Sequence, residues 1–566
     1  MSTQTVNPKI QALLERIRKQ RQENPVSQPE SIVSNLTSDP VSDLFVTTDK
    51  FGQTITYNSQ QSAFLKLAQA GKDCVLIGSA GTGKTTCMKG TIQTLIQTGR
   101  IPTLKNIDHK HLKEGTPGVI VISYTRRAVN NIRKNLSQDL QDNCLTYHKL
   151  MEYAPVYFEV TDPETGLTKT TMRFEPSRNM YNPIPSDVRT IIIEESSMLS
   201  VDYYETLIRA CPHNPQIIFL GDIYQLPPVF GSAILGYKLT ELPVIELTEV
   251  YRQAMNSPII SYAHKIKNGD AFPASEKLVT ETPEGKVTLH PWKKKLHPEN
   301  ACELASRFLI EALKAGVYDP EEDMILIPFN KGYGTIELNK YLATALARKQ
   351  KAVVYEIISG FLKVYLRVGE KVMFDREDAI VTAISRNGGY YGKAAQPESI
   401  QMDYWGAIHE SDIDDVDHHT RNLTETNDFD VDALLEGMAS GEEKVNQASH
   451  IITLQLLDSG REVTLNTTGE LNNLLLGYAL TVHKAQGSEW NKVFLLFHQS
   501  HATMLSRELL YTAMTRAKQE VYCICEKETF VTGVKSQRIK GTTLAEKAEY
   551  FKGKKESEVR TMKGNM

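Results

Sequence analysis

The sequence predicts an α/β fold with two domains, each built on a largely parallel β-sheet covered by helices. Short apolar runs such as CVLIGSA, GVIVISY and QIIFLGD alternate with segments of helical periodicity from about residue 51. Strands that are apolar on both faces are typical of parallel sheets with helices on each side. A second series begins with MILIPFN and resumes with KVFLLFH and EVYCICE, which indicates the second domain.

The composition is that of a globular protein and argues against a membrane-spanning or secreted one. The chain has 566 residues, 41% hydrophobic and 23% charged, which is ordinary for a globular protein of two to four domains. Its net charge of −4 means that any nucleic-acid partner would need a local basic groove. The seven cysteines lack zinc-ligand spacing and favour a reducing compartment. With no apolar stretch long enough for a membrane and no signal-peptide core, we expect a cytoplasmic protein, in the host cytoplasm if phage-encoded.

The first element with recognisable chemistry is GSAGTGKT, which follows an apolar strand and precedes a helical segment. Glycines let the backbone turn so that its N–H groups face phosphate oxygens, a lysine reaches the β- and γ-phosphates, and a hydroxyl contacts Mg²⁺. The expected cofactors are therefore ATP and Mg²⁺. The predicted phosphate-binding residues are Gly78, Ser79, Ala80, Gly81, Thr82, Gly83, Lys84, Thr85 and Thr86.

Two adjacent carboxylates, Glu194 and Glu195, follow the apolar run III at residues 191–193. A P-loop site needs one acid near the metal and one that orients and deprotonates water. Capping of the next helix is the alternative. Two neighbouring carboxylates after a buried strand are costly without a cation, which favours the metal site.

Further polar residues follow other apolar strands. In FLGDIYQLPPV, Gln225 is a candidate sensor of the γ-phosphate and Asp222 a hydrogen-bonding neighbour. Arg252 and Arg516 are candidate guanidinium contacts to phosphate, although either alone also fits a surface salt bridge.

Three segments depart from the α/β alternation. Residues 156–174 predict a hairpin around a DPETG turn, and residues 376–472 predict a small β-domain. Inside the latter, the acidic stretch of about 396–448 is either a solvated loop or a mimic of nucleic acid or a partner site. The N-terminal 50 residues predict a short amphipathic helix, free or docked, and a flexible linker.

The ordered set GSAGTGKT, IIIEESSM, FLGDIYQLPPV, LTEVYRQ, GYALTVHKAQGSEW and SRELLYTAMTRAK resembles the superfamily 1 helicases, and within them the RecD-like branch, over about residues 51–530. The resemblance implies two RecA-like P-loop domains in tandem, with a β-hairpin insert in the first and an SH3-like β insert in the second. The implied division is 1–50 N-terminal helix and linker, 51–265 domain 1A with hairpin 1B at about 150–187, 266–375 and 473–535 domain 2A, 376–472 domain 2B, and 536–566 a basic tail. We expect that tail to be a solvated helix or a weak DNA contact.

By motif, the resemblance assigns roles to individual residues. Lys84, Glu195, Gln225, Arg252 and Arg516 would be catalytic, with Glu195 the base. Thr85 and Glu194 would hold the metal. Gln61 would read adenine, and Gly487 and Glu489 would contact nucleotide from the second domain. The implied DNA contacts are Thr125, Arg126, Thr146, His148, Asn330, Thr481 and His483, and the strand-separating pin would carry Tyr157, Phe158 or Phe174.

The implied activity is ATP-driven movement on single-stranded DNA, 5′ to 3′, with unwinding of duplex in replication, recombination or repair. The implied partners are single-stranded DNA, forked duplex DNA and, through the termini, single-strand-binding or replisome proteins. One alternative is a translocase that displaces proteins or remodels forks. The other is a nucleic-acid-binding scaffold without hydrolysis, supported by glutamate rather than aspartate at position 194. For His148, a satisfied and partly buried histidine remains an equal alternative to a DNA contact.

Overall fold

The computed structural model describes most of the chain from residue 45 onward. The described residues are 45–48, 54–97, 118–134, 136, 141, 143–161, 168–250, 256–270, 277–291, 297–331, 333–359, 362–374, 377–388, 447–457 and 460–564. Three predictions lie outside them: the N-terminal helix, Arg252 and the acidic stretch. Within the described residues no helix combines the length and apolar character needed to cross a bilayer.

The strands and helices alternate along the chain as the apolar periodicity predicts. The strands are β1 Val46–Thr48, β2 Thr54–Thr56, β3 Cys74–Gly78, β4 Val119–Ser123, β5 Cys144–Thr146, β6 Tyr153–Thr161, β7 Thr168–Pro176, β8 Thr190–Ile193, β9 Gln216–Gly221, β10 Val244–Leu247, β11 Leu278–Thr282, β12 Gly285–Pro291, β13 Met324–Ile327, β14 Tyr355–Ser359, β15 Leu362–Leu366, β16 Lys371–Phe374, β17 Glu377–Arg386, β18 Gln447–Leu456, β19 Glu462–Thr467, β20 Leu474–Leu476, β21 Ala479–Thr481, β22 Trp490–Phe497 and β23 Ala517–Cys525. The helices are α1 Ser59–Gln69, α2 Lys84–Gln97, α3 Arg126–Lys134, α4 Tyr147–Leu150, α5 Val201–Arg209, α6 Ile234–Lys238, α7 Pro258–Asn268, α8 Pro298–Lys314, α9 Thr335–Gln350, α10 Thr468–Asn472, α11 Arg507–Met514, α12 Lys527–Lys535 and α13 Leu544–Gly564.

Two six-stranded sheets form the centre of the molecule. The first has the order β10-β3-β9-β8-β4-β5, and all of its neighbouring strands are parallel. The second has the order β11-β12-β23-β22-β13-β21 and is parallel except for the β11–β12 pair. The predicted α/β class with parallel sheets is therefore confirmed.

A continuous cluster of buried apolar side chains joins the two sheets. It includes Ile193 and Phe219 from the first sheet and Leu326 and Leu495 from the second. Helix α7 packs against α11 and β12, elements of the second half of the chain. This places α7 with the second sheet, although most of its residues precede the predicted boundary at 265/266.

A five-stranded antiparallel sheet, β19-β18-β17-β16-β20, occupies the region predicted as a β insert. Strands β16 and β20 belong to it and flank the predicted range 376–472. Arg127 of α3 pairs with Asp378 of β17 and lies over the Trp490 ring, which ties this sheet to both larger ones. An SH3-like identity for the five-stranded sheet stays a prediction.

The C-terminal segment departs from the expected solvated tail. Helix α13 packs on α6 of the first half of the chain, and its Phe551 is buried against Tyr237 with ring centroids 5.3 Å apart. The segment LAEKAEYFKGKK is rich in charged residues, so composition favours solvent exposure, but Phe551 is buried and Leu544, Ala548 and Tyr550 pack against the same core.

Candidate active site

The candidate nucleotide site lies at the carboxyl ends of the first sheet's strands. The P-loop follows β3, Glu194 and Glu195 follow β8, and Asp222 follows β9. These three strands are neighbours in the order β3-β9-β8, so the polar residues after them share one edge of the sheet. Ligands of open α/β sheets bind at this edge.

The P-loop backbone needs glycine for both conformation and space. Gly81 and Gly83 have φ angles of 82° and 85°, in the left-handed region that glycine adopts without strain. A Cβ on Gly78 would lie only 2.4 Å from Thr82 Oγ1. Thr82 Oγ1 in turn donates to the Ser79 carbonyl at 2.9 Å, which closes the loop on itself.

Lys84 begins helix α2 and points back over the loop. Its Nζ donates to the carbonyls of Gly78 at 2.6 Å and of Ser79 at 3.4 Å. The ammonium group thus lies above the P-loop, and an outward turn of the side chain would bring it to a bound phosphate.

Glu194 and Glu195 form a carboxylate pair that is unsatisfied by protein groups. Glu194 is buried, and one carboxylate oxygen on each residue has no hydrogen-bond partner within the described part of the chain. Burial, with a smaller contribution from the Glu195 carboxylate, raises the pKa of Glu194 to about 8, while Lys84 opposes the shift. Glu195 has a φ of 53°, a left-handed conformation that is uncommon for a non-glycine residue and is found at functional sites. The pair has the character of a cation site.

A pocket between the two large sheets collects residues from both halves of the chain. Its predicted members are Thr85, Glu194 and Glu195 from the first half and Gly487, Glu489 and Arg516 from the second. Ala128, Asn131 and Ile132 of α3 complete its lining. Six residues assigned from separate motifs therefore meet around one cleft.

Sequence reasoning missed the contribution of α3 to this pocket. Asn131 Nδ2 donates to the Gly487 carbonyl at 2.8 Å. Gly487 has a φ of 76°, and a Cβ there would lie 2.7 Å from Ala128 Cβ, so only glycine permits this approach. The motifs predict only DNA contacts for this segment, although the spacing of Ala128, Asn131 and Ile132 places them on one helix face.

Arg516 is held at the pocket by its own neighbourhood. It is buried, its Nε donates to the Thr512 carbonyl at 3.0 Å, and one Nη donates to the Ser488 carbonyl at 3.2 Å. Carbonyl partners leave its positive charge without a carboxylate counter-ion among these bonds, which suits a guanidinium group that faces phosphate. A surface salt bridge, the alternative for this residue, does not fit its burial.

Gln61 lies at the start of α1 and is not among the residues that line the pocket. Its Oε1 accepts from the Asn58 amide at 3.1 Å, and its own amide donates to Asn58 Oδ1 at 2.8 Å, which completes a capping box. Gln61 Nε2 is buried without a partner in the described part of the chain. That unfilled donor remains compatible with the predicted contact to adenine.

Gln225 and Asp222 form part of a link between the two halves of the chain. Asp222 Oδ2 accepts from the Tyr511 hydroxyl at 2.7 Å, and the same hydroxyl accepts from the P-loop amide of Ala80 at 2.8 Å. Gln225 is buried nearby in sequence, and its Oε1 has no partner among the described residues. Tyr511 lies within the motif YTAMTRAK, but no local signal identified its role.

Several predicted DNA-contacting hydroxyls are engaged in the protein's own turns. Thr125 Oγ1 accepts from the Ala128 amide at 3.2 Å, Thr146 Oγ1 from Lys149 at 3.1 Å, and Thr481 Oγ1 from Lys484 at 3.3 Å. Each follows or ends a strand at the carboxyl edge of its sheet. A hydroxyl can accept one bond and donate another, so these contacts leave a donor for phosphate.

The two candidate histidines differ in their surroundings. His148 packs edge-on against four tyrosines, with ring centroids 4.9 Å from Tyr153 and 5.4 Å from Tyr124. This geometry favours the packed histidine that was the equal alternative. Burial lowers the pKa of His483 to about 4, with Arg538 contributing, so His483 would meet a phosphate as a neutral donor.

Arg126 and Asn330 are exposed, as a surface contact to DNA requires. Arg126 begins helix α3, beside the pocket-lining residues. Asn330 Oδ1 accepts from Thr335 Oγ1 at 3.1 Å, which fixes its orientation and leaves the amide donors outward.

The predicted hairpin is present as an isolated two-stranded sheet, β6 and β7, with its tip at 162–167 outside the described residues. Tyr157 and Phe174 are 57% and 61% exposed, whereas Phe158 is partly buried. Tyr157 pairs with residue 172, two positions from Phe174, so the two exposed aromatics share one face. Of the three candidates, these two are available for stacking.

The hairpin is fixed at its base by a buried ion pair. Arg178 is buried, and its guanidinium donates to Glu152 Oε1 at 2.7 Å and to the Pro183 carbonyl at 2.8 Å. Tyr153, the first residue of β6, contacts His148 and Tyr147. The hairpin therefore projects from a rigid mount next to α4.

Comparison with known families gives two matches. Residues 60–231 match the AAA domain, and residues 476–524 match the UvrD-like helicase C-terminal domain. The first covers the P-loop, the carboxylate pair and Gln225, and supports use of ATP. The second covers Gly487, Glu489 and Arg516.

The curated proteins that are similar to the chain include two DNA helicases. The ATP-dependent RecD2 DNA helicase of Deinococcus radiodurans is 26% identical over 492 residues, which are 87% of this chain and 52% of the relative. The chain thus spans about half the length of that relative. The ATP-dependent DNA helicase dda of Enterobacteria phage T4 is 30% identical over 221 residues, 37% of this chain and 42% of the relative.

Among solved structures, the Pif1 helicase of Candida albicans aligns at 17% identity over 88% of this chain and 99% of its own, with a TM-score of 0.43. The two family matches and the curated relatives confirm the resemblance to superfamily 1 helicases of the RecD-like branch.

Proposed function

We propose that this chain is an ATP-dependent DNA helicase that moves on single-stranded DNA and separates duplex ahead of it. The observation that carries the proposal is the pocket between the two sheets, lined by a P-loop threonine and a carboxylate pair from one half and by Arg516 from the other. A ligand bound there touches both halves and favours the closed cleft over the open one. Motors use such a cleft to convert hydrolysis into domain movement.

Within this cleft, different residues of the chain bind the phosphates, activate the attacking water and stabilise the developing charge. The P-loop amides and Lys84 bind the phosphates of ATP. Glu195 orients the attacking water and takes its proton, and Arg516 stabilises charge that develops on the γ-phosphate. Gln225 contacts the γ-phosphate, and the loop that also carries Asp222 couples this contact to movement of the second half.

The carboxylate pair fits a divalent cation, since each residue keeps an unpartnered carboxyl oxygen and a bound cation would oppose the burial that raises the pKa of Glu194. Thr85 and Glu194 would hold Mg²⁺, with Glu194 acting directly or through water. When bound, Mg²⁺ neutralises the phosphate charge. The longer Glu194 side chain is therefore a variation within the site rather than support for a scaffold without hydrolysis.

DNA would cross the carboxyl edges of both sheets, where Thr125, Arg126, Thr146, Asn330 and Thr481 lie. Hydroxyls, amides and one exposed cation on the phosphate backbone suit movement that ignores sequence. His483 would add a neutral donor there. The hairpin, with Tyr157 and Phe174 on one face, would stack against the base pair at a fork.

We further propose that the chain divides as the motifs imply, with 1A, 1B, 2A and 2B as predicted and α7 transferred to 2A. Movement from 5′ to 3′, a role in replication, recombination or repair, and contacts with single-strand-binding or replisome proteins belong to the same proposal.

The decisive experiment measures ATP hydrolysis by the purified full chain with and without single-stranded DNA. We expect DNA to raise turnover, and Lys84→Ala to abolish it. Wild-type turnover equal to that of Lys84→Ala would contradict the helicase proposal and would favour a nucleic-acid-binding scaffold without hydrolysis.

A second experiment tests polarity and unwinding. Forked duplexes that carry only a 5′ tail or only a 3′ tail are unwound under single-turnover conditions. Unwinding from the 5′ tail alone is expected. Turnover and displacement of a bound protein without strand separation would favour the translocase.

A further inference from the structure

The C-terminal segment crosses from the second sheet to the first. It leaves the second half where the backbone amides of Arg538 and Ile539 donate to the buried carboxylate of Glu508 at 3.1 and 3.2 Å. It then enters α13, whose first turn is capped by Thr543, with Thr543 Oγ1 accepting from the Glu546 amide at 3.2 Å. Both ends of this connection are therefore fixed by hydrogen bonds.

On the first half of the chain, α13 packs against α6, where the absence of a side chain at Gly236 leaves room for Phe551. Phe551 is 2% exposed, and a Cβ added to Gly236 of α6 would lie 2.2 Å from its ring. Lys554 Nζ donates to Ser232 Oγ and Lys555 Nζ to Glu241 Oε1, each at 2.7 Å. The aromatic ring supplies the buried contact, and the two lysines fix the helix at its rim.

The buried face of α13 also reaches the loop that carries Gln225. Lys547 is 1% exposed, its Nζ donates to the Ile539 carbonyl at 3.0 Å, and it lies 5.2 Å from the centroid of the Tyr224 ring. Lys267 of α7 lies 4.2 Å from the same centroid, and its Nζ is 3.5 Å from Ser79 Oγ of the P-loop. Tyr224 is thus held by two cations, one from α13 and one beside the P-loop.

Tyr224 precedes Gln225, and its amide donates to Asp222 Oδ1 at 3.0 Å. A shift of the Tyr224 ring would therefore move the backbone of the residues proposed to report the γ-phosphate. A long, strongly hydrated side chain such as lysine is rarely buried without a specific role, and neither cation above Tyr224 contacts the pocket itself.

We propose that α13 is a strap that holds the two halves together behind the nucleotide cleft, and that Lys547 and Phe551 are positioning residues for the loop 222–226. The proposal rests on the proposed ATPase function. The strap stays docked during turnover and keeps Gln225 in register with the pocket.

The test uses the full chain with substitutions on both sides of the docking contact. Phe551→Ala removes the buried ring, Gly236→Ala pushes the ring out of its slot, and Lys547→Met removes the cation above Tyr224. Lys552→Met is the matched control, because Lys552 lies on the same helix with an exposed side chain. Each protein is assayed for kcat and KM of DNA-stimulated ATP hydrolysis, for affinity toward a fluorescent non-hydrolysable ATP analogue, and for its thermal midpoint.

We expect Phe551→Ala, Gly236→Ala and Lys547→Met each to lower kcat about tenfold, since small displacements of positioning groups have effects of this size or larger. The kcat of the Gly236→Ala/Phe551→Ala double variant should be no lower than that of the less active single variant, because both substitutions act on one contact. The strap proposal is overturned if the variants have lowered thermal midpoints but kcat values within about twofold of that of the Lys552→Met control. In that case α13 has a structural role only.

Failure of the two proposals is distinguishable. If the wild-type chain has no Lys84-dependent turnover, the motor fails, and the strap is then judged by the ATP analogue alone. Weaker analogue binding in Phe551→Ala than in Lys552→Met supports it, and equal binding overturns it.

Discussion

The nucleotide cleft and the hairpin represent opposite ways of preparing for a ligand. The cleft leaves carboxyl groups unsatisfied: Glu194 and Glu195 each keep a carboxyl oxygen without a hydrogen-bond partner among the described residues. The hairpin does the reverse, since Arg178 and Glu152 pair with each other at its base while Tyr157 and Phe174 face solvent.

This difference has an energetic consequence. Unsatisfied polar groups are costly in an empty cleft, and under the proposed function a ligand that pairs with them would favour the closed cleft. Exposed aromatics on a rigid mount gain by stacking and need no conformational change. Under the proposed function, the cleft would open and close with each ATP, and the hairpin would act as a wedge that this movement drives forward.

The largest expected effect tests the cleft side of this comparison. Glu195→Gln should lower DNA-stimulated kcat by about 10²- to 10⁴-fold, because it removes the base and leaves the shape of the side chain. Binding of an ATP analogue should survive. Glu205→Gln, which removes an exposed carboxylate on α5, is the control and should retain full turnover. Loss of analogue binding in Glu195→Gln would mean that the residue serves binding rather than proton transfer.

The hairpin side is tested by Tyr157→Ala combined with Phe174→Ala. We expect unwinding of forked duplex to fall about tenfold, on the scale of one or two lost stacking contacts, while ATP turnover on single-stranded DNA is unchanged. Val353→Ala, an exposed apolar residue elsewhere, controls for surface truncation. If turnover falls in parallel with unwinding, the hairpin is part of the motor and the distinction between the two regions breaks down.

A buried charge with protein partners offers an intermediate case. Burial lowers the pKa of Lys547 from 10.5 to about 8; Glu508 and Asp222 oppose this shift, while Arg507 and Lys267 add to it. The folded chain therefore releases this proton at lower pH than the unfolded chain, so stability from this group is fully present above 10.5 and is lost as pH falls through 8.

The measurement for Lys547 is the thermal midpoint of wild type minus that of Lys547→Met at several pH values. This difference should rise between pH 7.5 and 9.5, within about a few degrees for a protein of this size. The Lys552→Met difference should stay flat. A difference for Lys547→Met that is independent of pH would show that the ammonium is not desolvated.

The smallest effect is expected at Glu194. Glu194→Asp shortens the acid by one methylene, which a water molecule or a rotamer change can absorb, so turnover should change by less than about tenfold. Titration of Mg²⁺ in the ATPase assay would measure the change in metal requirement. Total loss of activity would show that the site depends on the longer side chain. The metal site would then tolerate no small change of geometry, and the contrast with the fixed base of the hairpin would be lost.

Local patterns of residues were sufficient to predict the fold class and many of the individual strands. Apolar runs bounded by turn residues identified β3, β4, β8 and β9, and the alternation around DPETG identified the hairpin, because backbone periodicity and turn chemistry are properties of neighbouring residues. The same holds for the P-loop glycines, whose φ angles follow from their spacing.

The functional surroundings could not be predicted in this way. Tyr511 and Ala80 are 431 positions apart, yet they share a hydrogen bond, and Asn131 meets Gly487 across the cleft. The motif places His483 among the implied DNA contacts, but it gives no sign that burial lowers the pKa of this histidine to about 4.

The sequence by itself determined which chemical groups this protein has and at which strand ends they lie. Only the tertiary structure decided that Lys547 of α13 lies against the Tyr224 ring, that α3 lines the nucleotide pocket, and that the two exposed aromatics of the hairpin share a face. The physical reason is that burial, desolvation and contacts between distant segments depend on how whole elements pack, and no local pattern encodes that packing.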